Sequence, residues 1–367
     1  MTRTIVIKNG SVILKDRVLH NGTVAINGGK VSSLGRSGQP ASGIEIDAAG
    51  CYVSPGFIDS HIHGDPSEII RNEVKYGTTS LILAESCASL GRILKRARRL
   101  RKMIRDGSLG SAILGFRMEG PYISSKKAGA QDARYIRKPD TKELARLVER
   151  CGPLLKMMTI APELKGSGAL IRLLRKNGIV ASVGHSYATC GQAKRGISSG
   201  IRHATHLFNA MRASDGRDGG VVGAVLSDKR VYAEAILDLV HIDPALFGRA
   251  VRAKGLGKVI LVTDSVKAGR SRGVKKSRGA YRFRDGRLAG SALTMIEAVK
   301  NAVAACGLRL PDAVRLASLN PATALGIGAK KGSIATGKDA DIAIFDKDFN
   351  VKMTIVRGKI AYRKRGF

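Results

Sequence analysis

Short runs of alternating apolar and polar residues occupy both ends of the chain. Near the start, TIVIKNGSVIL and TVAINGGKVSSLG are punctuated by Asn-Gly and Gly-Gly pairs, which favour tight turns between strands. Similar runs return after about residue 326, in GSIATGKDADIAIFD and VKMTIVRGKIAYRKR. Alternation of this kind is typical of strands with one buried face. We therefore expect a small β domain built from both termini, over residues 1–52 and 326–367.

Between these ends, from about residue 53, apolar runs alternate with longer stretches of helical periodicity, such as DTKELARLVERCG and GALIRLLRKNG. Eight such apolar runs occur, at 56–63, 78–85, 112–120, 155–163, 179–186, 201–210, 231–242 and 258–265. The pattern predicts a (β/α)8 barrel of the TIM type over residues 53–325. An open doubly wound sheet is the alternative, but the strand count and the polar residues at the strand ends favour the barrel.

Composition narrows the class of protein. Apolar residues make up 44% of the 367 residues, and no apolar run reaches the roughly 18 residues that a membrane helix requires. The N-terminal segment lacks the features of a signal peptide, so we expect a cytoplasmic protein. The five cysteines are scattered and never in CxxC spacing. This distribution argues against a disulfide framework and against a thiolate zinc site.

The formal net charge of +34 would attract polyanions at low salt whatever the protein does. Much of the charge lies in residues 91–105 and 269–287, and the first of these segments has the apolar periodicity of an amphipathic helix. Aromatic residues amount to only 4%, so stacking platforms for nucleic acid are not evident. We expect no specific nucleic-acid partner and no membrane partner.

Candidate chemistry begins with His61 and His63 in PGFIDSHIHG, which point to the same face of a strand. Alone, the pair is a weak signal that favours core or surface histidines over a metal site. Asp59 shares their face, either as a hydrogen-bond partner of an imidazole or as a plain core residue.

Further imidazoles and carboxylates follow other predicted strands, where a barrel exposes its reactive groups. They are Glu119, His185, His206 and Asp264. His203 and His206 are three residues apart, so an ideal strand points only one of them into the cluster, and we choose His206. This ligand set suits zinc, iron or manganese in a hydrolytic site. Five ligands exceed the usual number for one catalytic zinc and would suit two ions about 3.5 Å apart that share Glu119.

The motifs, taken in order, resemble those of the N-acetylglucosamine-6-phosphate deacetylase family of the amidohydrolase superfamily. The matching segments are PGFIDSHIHG, MEGPYIS, KKAGAQ, TIAPE, VGHS, ATHLFNAM, VHID, ILVTDS, LAGSALTM and GSIATGKDADIAIFD. The resemblance covers nearly the whole chain. It implies a (β/α)8 barrel with a small β-sandwich from both termini, a homodimer, and removal of acetate from N-acetylglucosamine 6-phosphate in amino-sugar catabolism.

The resemblance also implies residue roles. Glu119, His185 and His206 bind the principal metal, and His61 and His63 make a second ion plausible. Asp264 acts as base and then as acid. The implied cofactor is one or two divalent ions per subunit, zinc first, with iron, manganese or cobalt as alternatives. The implied substrate contacts are Ala130, Gln131, Asn209, Ala210, Arg217, His241, Leu288, Ala289 and Gly290.

Three differences from the family bear on the substrate. Gln131 replaces a histidine found in many relatives, and it can donate a hydrogen bond but cannot carry a positive charge. The segment after His63 is short, and the segment after Asp264 is compact and very basic. These differences keep open deacetylation of N-acetylgalactosamine 6-phosphate or hydrolysis of another amide. A catalytically dormant relative that binds polyanions is a further alternative.

In the family, Arg217 reaches the phosphate in the neighbouring subunit.

Overall fold

The computed structural model describes residues 4–35, 43–107, 110–266, 274–277 and 279–367. The N-terminal part contributes five strands, namely β1 (Thr4–Ile13), β2 (Val18–Asn27), β3 (Lys30–Gly35), β4 (Gly43–Asp47) and β5 (Cys51–Pro55). Strand β1 pairs with β2 in antiparallel fashion, while β4 and β5 pair in parallel with the two halves of β1. Their inward residues, among them Ile7, Val12 and Val24, are fully buried.

Eight parallel strands follow, in the order of the sequence. They are β6 (Phe57–His63), β7 (Thr78–Glu85), β8 (Ala112–Glu119), β9 (Leu155–Ile160), β10 (Val180–Val183), β11 (His203–Ala204), β12 (Tyr232–Ala235) and β13 (Val259–Leu261). Every residue of β7 is buried, as expected for a parallel strand covered on both faces. The eight predicted runs each contain one of these strands.

The barrel closes because the chain beyond β13 turns to pair with the first strand. A short strand, β14 (Ser265–Val266), lies parallel to β6, and the backbone N–H of Asp264 donates to the His61 carbonyl at 2.8 Å. The sheet then extends through β15 (Val274–Ser277), β16 (Ala280–Phe283) and β17 (Leu288–Ser291). Leu288, Ala289 and Gly290, which the resemblance implies as substrate contacts, belong to strand β17. Part of the basic 269–287 segment lies outside the described residues.

The C-terminal part returns to the first sheet through β18 (Ile342–Asp346), β19 (Val351–Val356) and β20 (Lys359–Arg363). The order of that sheet is β20-β19-β18-β5-β1-β2-β3, with β4 beside β1. Strand β18 pairs with β5 along five residues and so joins the two ends of the chain. The predicted fold, a (β/α)8 barrel with a β domain from both termini, is confirmed.

In the part of the chain that the structure describes, ten α-helices accompany the barrel strands. They are α1 (Pro66–Asn72), α2 (Leu90–Asp106), α3 (Thr141–Cys151), α4 (Ser167–Lys176), α5 (Cys190–Ser199), α6 (Gly220–Ser227), α7 (Pro244–Lys254), α8 (Met295–Ala304), α9 (Leu310–Ala317) and α10 (Leu319–Ala324). The basic helix α2 begins at a Ser89 cap and buries Ile93, Ala97 and Leu100. Most of its charges lie outside, whereas Arg96 is largely buried and pairs with Glu85. Its amphipathic character follows the sequence prediction.

The sequence argues against a disulfide framework and has no apolar run long enough for a membrane helix. None of the five cysteines, all of which lie in the described ranges, forms a disulfide. Among the described residues there is no helix with the length and apolarity needed to span a membrane.

Candidate metal centre and substrate pocket

All six residues of the predicted cluster lie at one end of the barrel. His61 and His63 are on β6, Glu119 ends β8, His185 follows β10, His206 follows β11, and Asp264 lies between β13 and β14. The backbone at His185, His206 and Asp264 has positive φ, at 45°, 32° and 46°. This conformation is uncommon outside glycine and costs energy, so the surrounding structure must hold these three residues in place.

Glu119, His185 and His206 form one compact group of donor atoms. Glu119 Oε1 lies 3.1 Å from His206 Nε2 and 3.5 Å from His185 Nε2, and the two imidazole nitrogens are 3.2 Å apart. A tetrahedral zinc ion with bonds of 2.0–2.2 Å holds its ligand atoms about 3.3–3.5 Å apart. The three side chains therefore fit one face of such a coordination sphere.

A second group consists of His61, His63 and Asp264. Asp264 Oδ1 lies 3.4 Å from His61 Nε2 and 3.2 Å from His63 Nε2, and Glu119 is 3.3 Å from His61 and 3.2 Å from His63. Although fully buried, His61 Nε2 forms no hydrogen bond with any described residue. A buried polar atom without a hydrogen bond is costly, and a metal ion would satisfy it. The residues fit two ions that share Glu119.

The charge balance of the cluster favours a cation. Burial and Arg117 oppose a positive charge on His61, but Asp264 and Glu119 outweigh them and raise the pKa of His61 to about 10. Burial likewise opposes charge on His63, yet hydrogen bonds to Asp264 and Glu119 raise its pKa to about 9. The carboxylates thus attract positive charge, which a divalent metal supplies when the imidazoles are neutral.

The backbone orients at least one imidazole toward the cluster. The Nδ1–H of His185 donates to the Lys127 carbonyl at 2.9 Å, which leaves Nε2 free as a ligand atom. Such a contact on the far side of a ligating histidine fixes its tautomer and ring orientation.

The cluster opens into a cavity of about 520 Å³, which is within the usual range for small-molecule sites. Its lining includes eight of the nine predicted substrate residues: Ala130, Gln131, Asn209, Ala210, His241, Leu288, Ala289 and Gly290. Arg217 is absent from this lining and lies on an exposed loop, where its backbone N–H donates to Asp215. Within one chain the structure does not bring Arg217 to the pocket.

Gln131 and His241 are each held by hydrogen bonds. Gln131 donates from Nε2 to Glu119 Oε2 at 2.8 Å and accepts from the Cys87 backbone N–H at 2.8 Å. His241 Nδ1 donates to Asp238 at 2.6 Å. Gln131 therefore orients the shared carboxylate, and His241 presents its other nitrogen to the pocket.

The structure also shows the surroundings of Asp59 and of the histidine pair His203 and His206. Asp59 accepts hydrogen bonds from the His61 backbone and from Thr263, so it is a core hydrogen-bond acceptor with no described imidazole contact. His206 joins the cluster, whereas buried His203 lies 3.7 Å from Glu234. His206 lies in the cluster although β11 ends at Ala204, two residues before it.

Three charged residues beside the site were missed: Arg117, Glu234 and Asp238. Arg117 and Glu234 lie inside apolar strands and are completely buried. A charged residue within a buried strand is rare without a partner. The charged residues in GFRMEG and VYAEAIL could therefore have indicated a buried ion pair. Asp238 precedes His241 by three residues, and that spacing alone does not indicate that the two side chains pair.

Gly290 controls the space behind Asp264. Its φ of 132° suits glycine, and an added Cβ would lie 2.2 Å from Val266 Cγ2 and 3.1 Å from the Asp264 carbonyl oxygen. Gly290→Ala is expected to displace Asp264 and to lower kcat roughly 10- to 100-fold in steady-state assays. Gly286→Ala, at φ 84° with open space around it, is the control and should retain activity. Equal kcat for both variants would contradict this role.

Sequence and structure comparisons place the chain among known proteins. Residues 52–361 match the amidohydrolase family, so the chain belongs to that family of metal-dependent hydrolases. It is 35% identical to the N-acetylglucosamine-6-phosphate deacetylase of Bacillus subtilis (strain 168), over 99% of this chain and 98% of the relative. The predicted resemblance to these deacetylases is thereby confirmed.

Two further relatives differ in the amino-sugar phosphate that their names give. The N-acetylgalactosamine-6-phosphate deacetylase of Escherichia coli O157:H7 is 30% identical, over 88% of this chain and 90% of the relative. A variant N-acetyl-D-glucosamine-6-phosphate deacetylase from Mycobacterium smegmatis has been solved in complex with N-acetyl-D-glucosamine-6-phosphate. It matches with a TM-score of 0.90 and 31% identity, covering 98% of this chain and 99% of that one.

Proposed function

We propose that this protein is a metal-dependent deacetylase that hydrolyses N-acetylglucosamine 6-phosphate to acetate and glucosamine 6-phosphate. The observation that carries the proposal is the junction of two ligand groups at Glu119, at the base of a pocket lined by the predicted sugar contacts. The relatives named above, which include deacetylases of two amino-sugar phosphates, support the same chemistry.

Glu119, His185 and His206 would hold the principal ion, and His61 and His63 a second ion that shares Glu119. Zinc is commonly bound by imidazole and carboxylate ligands, and iron, manganese and cobalt accept the same set. A bound divalent ion polarises the acetyl carbonyl and lowers the pKa of water toward 7.

Asp264 is the residue that moves protons in this proposal. Its carboxylate borders the pocket and lies 3.2 Å from His63, at the edge of the ligand cluster. It accepts the proton of the attacking water and later gives that proton to the departing nitrogen of the sugar. Burial raises the pKa of Asp264, but the neighbouring His61 and His63 outweigh it and hold the pKa below its ordinary value, which favours the carboxylate form.

The remaining contacts would bind the substrate. Gln131 holds Glu119 with one amide hydrogen and has a second one for the acetyl oxygen. Asn209 and His241 would bind sugar hydroxyls and phosphate. Arg217 would bind the phosphate in the neighbouring subunit of a homodimer, which agrees with its exposed position away from its own pocket. We place the enzyme in the cytoplasm.

Arg217→Ala tests the phosphate assignment. Guanidinium binds phosphate through charge-assisted bonds, so the variant is expected to lose about 10- to 100-fold in kcat/KM for the phosphorylated sugar. Activity on free N-acetylglucosamine should change little. Arg146→Ala, which removes an exposed arginine of α3 outside the pocket lining, is the control. Equal losses on both sugars would remove Arg217 from phosphate binding.

A substrate panel tests the proposal as a whole. Acetate release would be compared for N-acetylglucosamine 6-phosphate, N-acetylgalactosamine 6-phosphate and the two free sugars. We expect the highest kcat/KM with N-acetylglucosamine 6-phosphate. The short segment after His63 and the Escherichia coli relative make the galactosamine compound the second candidate, and preference for it would change the sugar but not the reaction.

A further inference from the structure

A buried ion pair lies directly beneath the ligand cluster. The side chains of Arg117 on β8 and Glu234 on β12 have no solvent exposure, and Arg117 Nη1 contacts Glu234 Oε1. Arginine stays charged in proteins, so its burial requires a fixed counter-charge. Glu234 is therefore an ionised carboxylate at a defined position.

The second oxygen of Glu234 faces the cluster. His61 Nδ1–H donates to Glu234 Oε2 at 3.2 Å, and the backbone N–H of His206 donates to the same atom at 3.2 Å. The contact to His61 involves its side chain, whereas the contact to His206 involves only its backbone. Loss of Glu234 would consequently affect the imidazole of His61 more directly than that of His206.

Arg117 fixes Glu234 relative to several strands of the barrel. Its guanidinium donates to the Ser60 carbonyl at 3.2 Å and to Thr205 Oγ1 at 2.9 Å. Thr205 in turn contacts Ser182 at 2.7 Å and Thr159 at 2.9 Å. This network crosses the floor of the site, so Glu234 cannot move without breaking buried hydrogen bonds.

These contacts determine which nitrogen of His61 can serve as a ligand. With its proton held on Nδ1 by Glu234, the imidazole presents Nε2 without a proton, toward Glu119 and Asp264 at 3.3 and 3.4 Å. The other tautomer would place a proton on Nε2 and prevent coordination. A carboxylate in this position also makes the imidazole a more basic ligand.

We propose that Glu234 is a positioning residue for the second metal site, acting through His61 and held in place by Arg117. The inference rests on the metal centre of the proposed function and adds to it a determinant of how many ions the enzyme retains. The site with Glu119, His185 and His206 depends less on Glu234, since Lys127 orients His185 from another side.

Glu234→Gln tests this role because an amide has nearly the same shape. The NH2 group of the glutamine must face either Arg117 or the N–H donors of His61 and His206. Because this group cannot accept a hydrogen bond, the contacts on that side are lost. Metal-free protein would be titrated with Zn²⁺ against a chromophoric chelator and with Co²⁺ by visible absorption. We expect affinity for the second ion to fall about 10- to 100-fold and the first to stay within about threefold. Unchanged affinities, or equal losses at both sites, would overturn the proposal.

Two further variants separate positioning from general damage. His203→Gln alters a buried neighbour that approaches the other oxygen of Glu234 at 3.7 Å, and it should keep both affinities. The double variant Arg117→Met with Glu234→Leu leaves no unpaired charge, and buried pairs replaced in this way often keep their fold. If it folds by circular dichroism, it should still bind the second ion weakly, and full retention would contradict the proposal.

The parent protein distinguishes this inference from the proposed function. A parent that binds a single ion contradicts the role of Glu234 and leaves the deacetylase proposal intact. A parent that binds no ion contradicts both.

Discussion

Replacing Glu119 with alanine is expected to abolish metal binding and to lower deacetylation by about a thousandfold or more. Glu119 lies within 3.5 Å of all four imidazoles of the cluster, so its removal takes a ligand from both groups at once. Loss of the ion removes transition-state stabilisation worth several kcal/mol, at about 1.4 kcal/mol for each factor of ten in rate. Metal content by elemental analysis and kcat/KM on the same sample measure both effects.

Glu143→Gln provides the control for that substitution. Glu143 is a partly buried glutamate of α3 that accepts from Tyr122 and Arg137 and lies outside the pocket lining. This variant should keep its metal and its activity. A Glu119→Ala protein that retains one ion and near-parent turnover would show that Glu119 is not the shared ligand.

Asp264→Asn is expected to reduce kcat by roughly 10²–10⁴-fold while the ion at Glu119, His185 and His206 is retained. Asparagine preserves the size of the side chain but cannot accept a proton from water or return one to the leaving nitrogen. The backbone bond from Asp264 to His61 does not involve the side chain, so barrel closure should persist. Single-turnover rates with metal quantification separate chemistry from binding.

Asp140→Asn is the matched control, because Asp140 caps α3 and asparagine caps a helix about as well. Its turnover should equal that of the parent. If Asp264→Asn keeps turnover within about tenfold of the parent with full metal content, the proton-transfer role belongs to another group.

Much of the fold was predictable because parallel barrel strands are buried on both faces and therefore appear as continuous apolar runs. The first three runs match β6, β7 and β8 almost residue for residue. The sixth run, 201–210, shrinks to two paired residues, since His206, Phe208 and Ala210 have positive φ that ends the strand. Residue types such as these give little warning of a left-handed backbone.

The ligand cluster was predictable for a different reason. Residues that end parallel strands meet at one edge of a barrel, so position along the chain implies proximity. The residues that hold the cluster in place were harder to predict from the sequence, because Glu234 contacts His61 from 173 positions away. Pairings between distant strands are fixed by the closed sheet and cannot be deduced from local patterns.

Acetate release by protein of known metal content tests the central claim most directly. We expect that purified protein hydrolyses N-acetylglucosamine 6-phosphate and that chelation removes at least about 90% of this activity. Zn²⁺ or another divalent ion should restore it in proportion to the ions bound. Activity that is unchanged after the ions are removed, or no acetate from fully loaded protein, would contradict it.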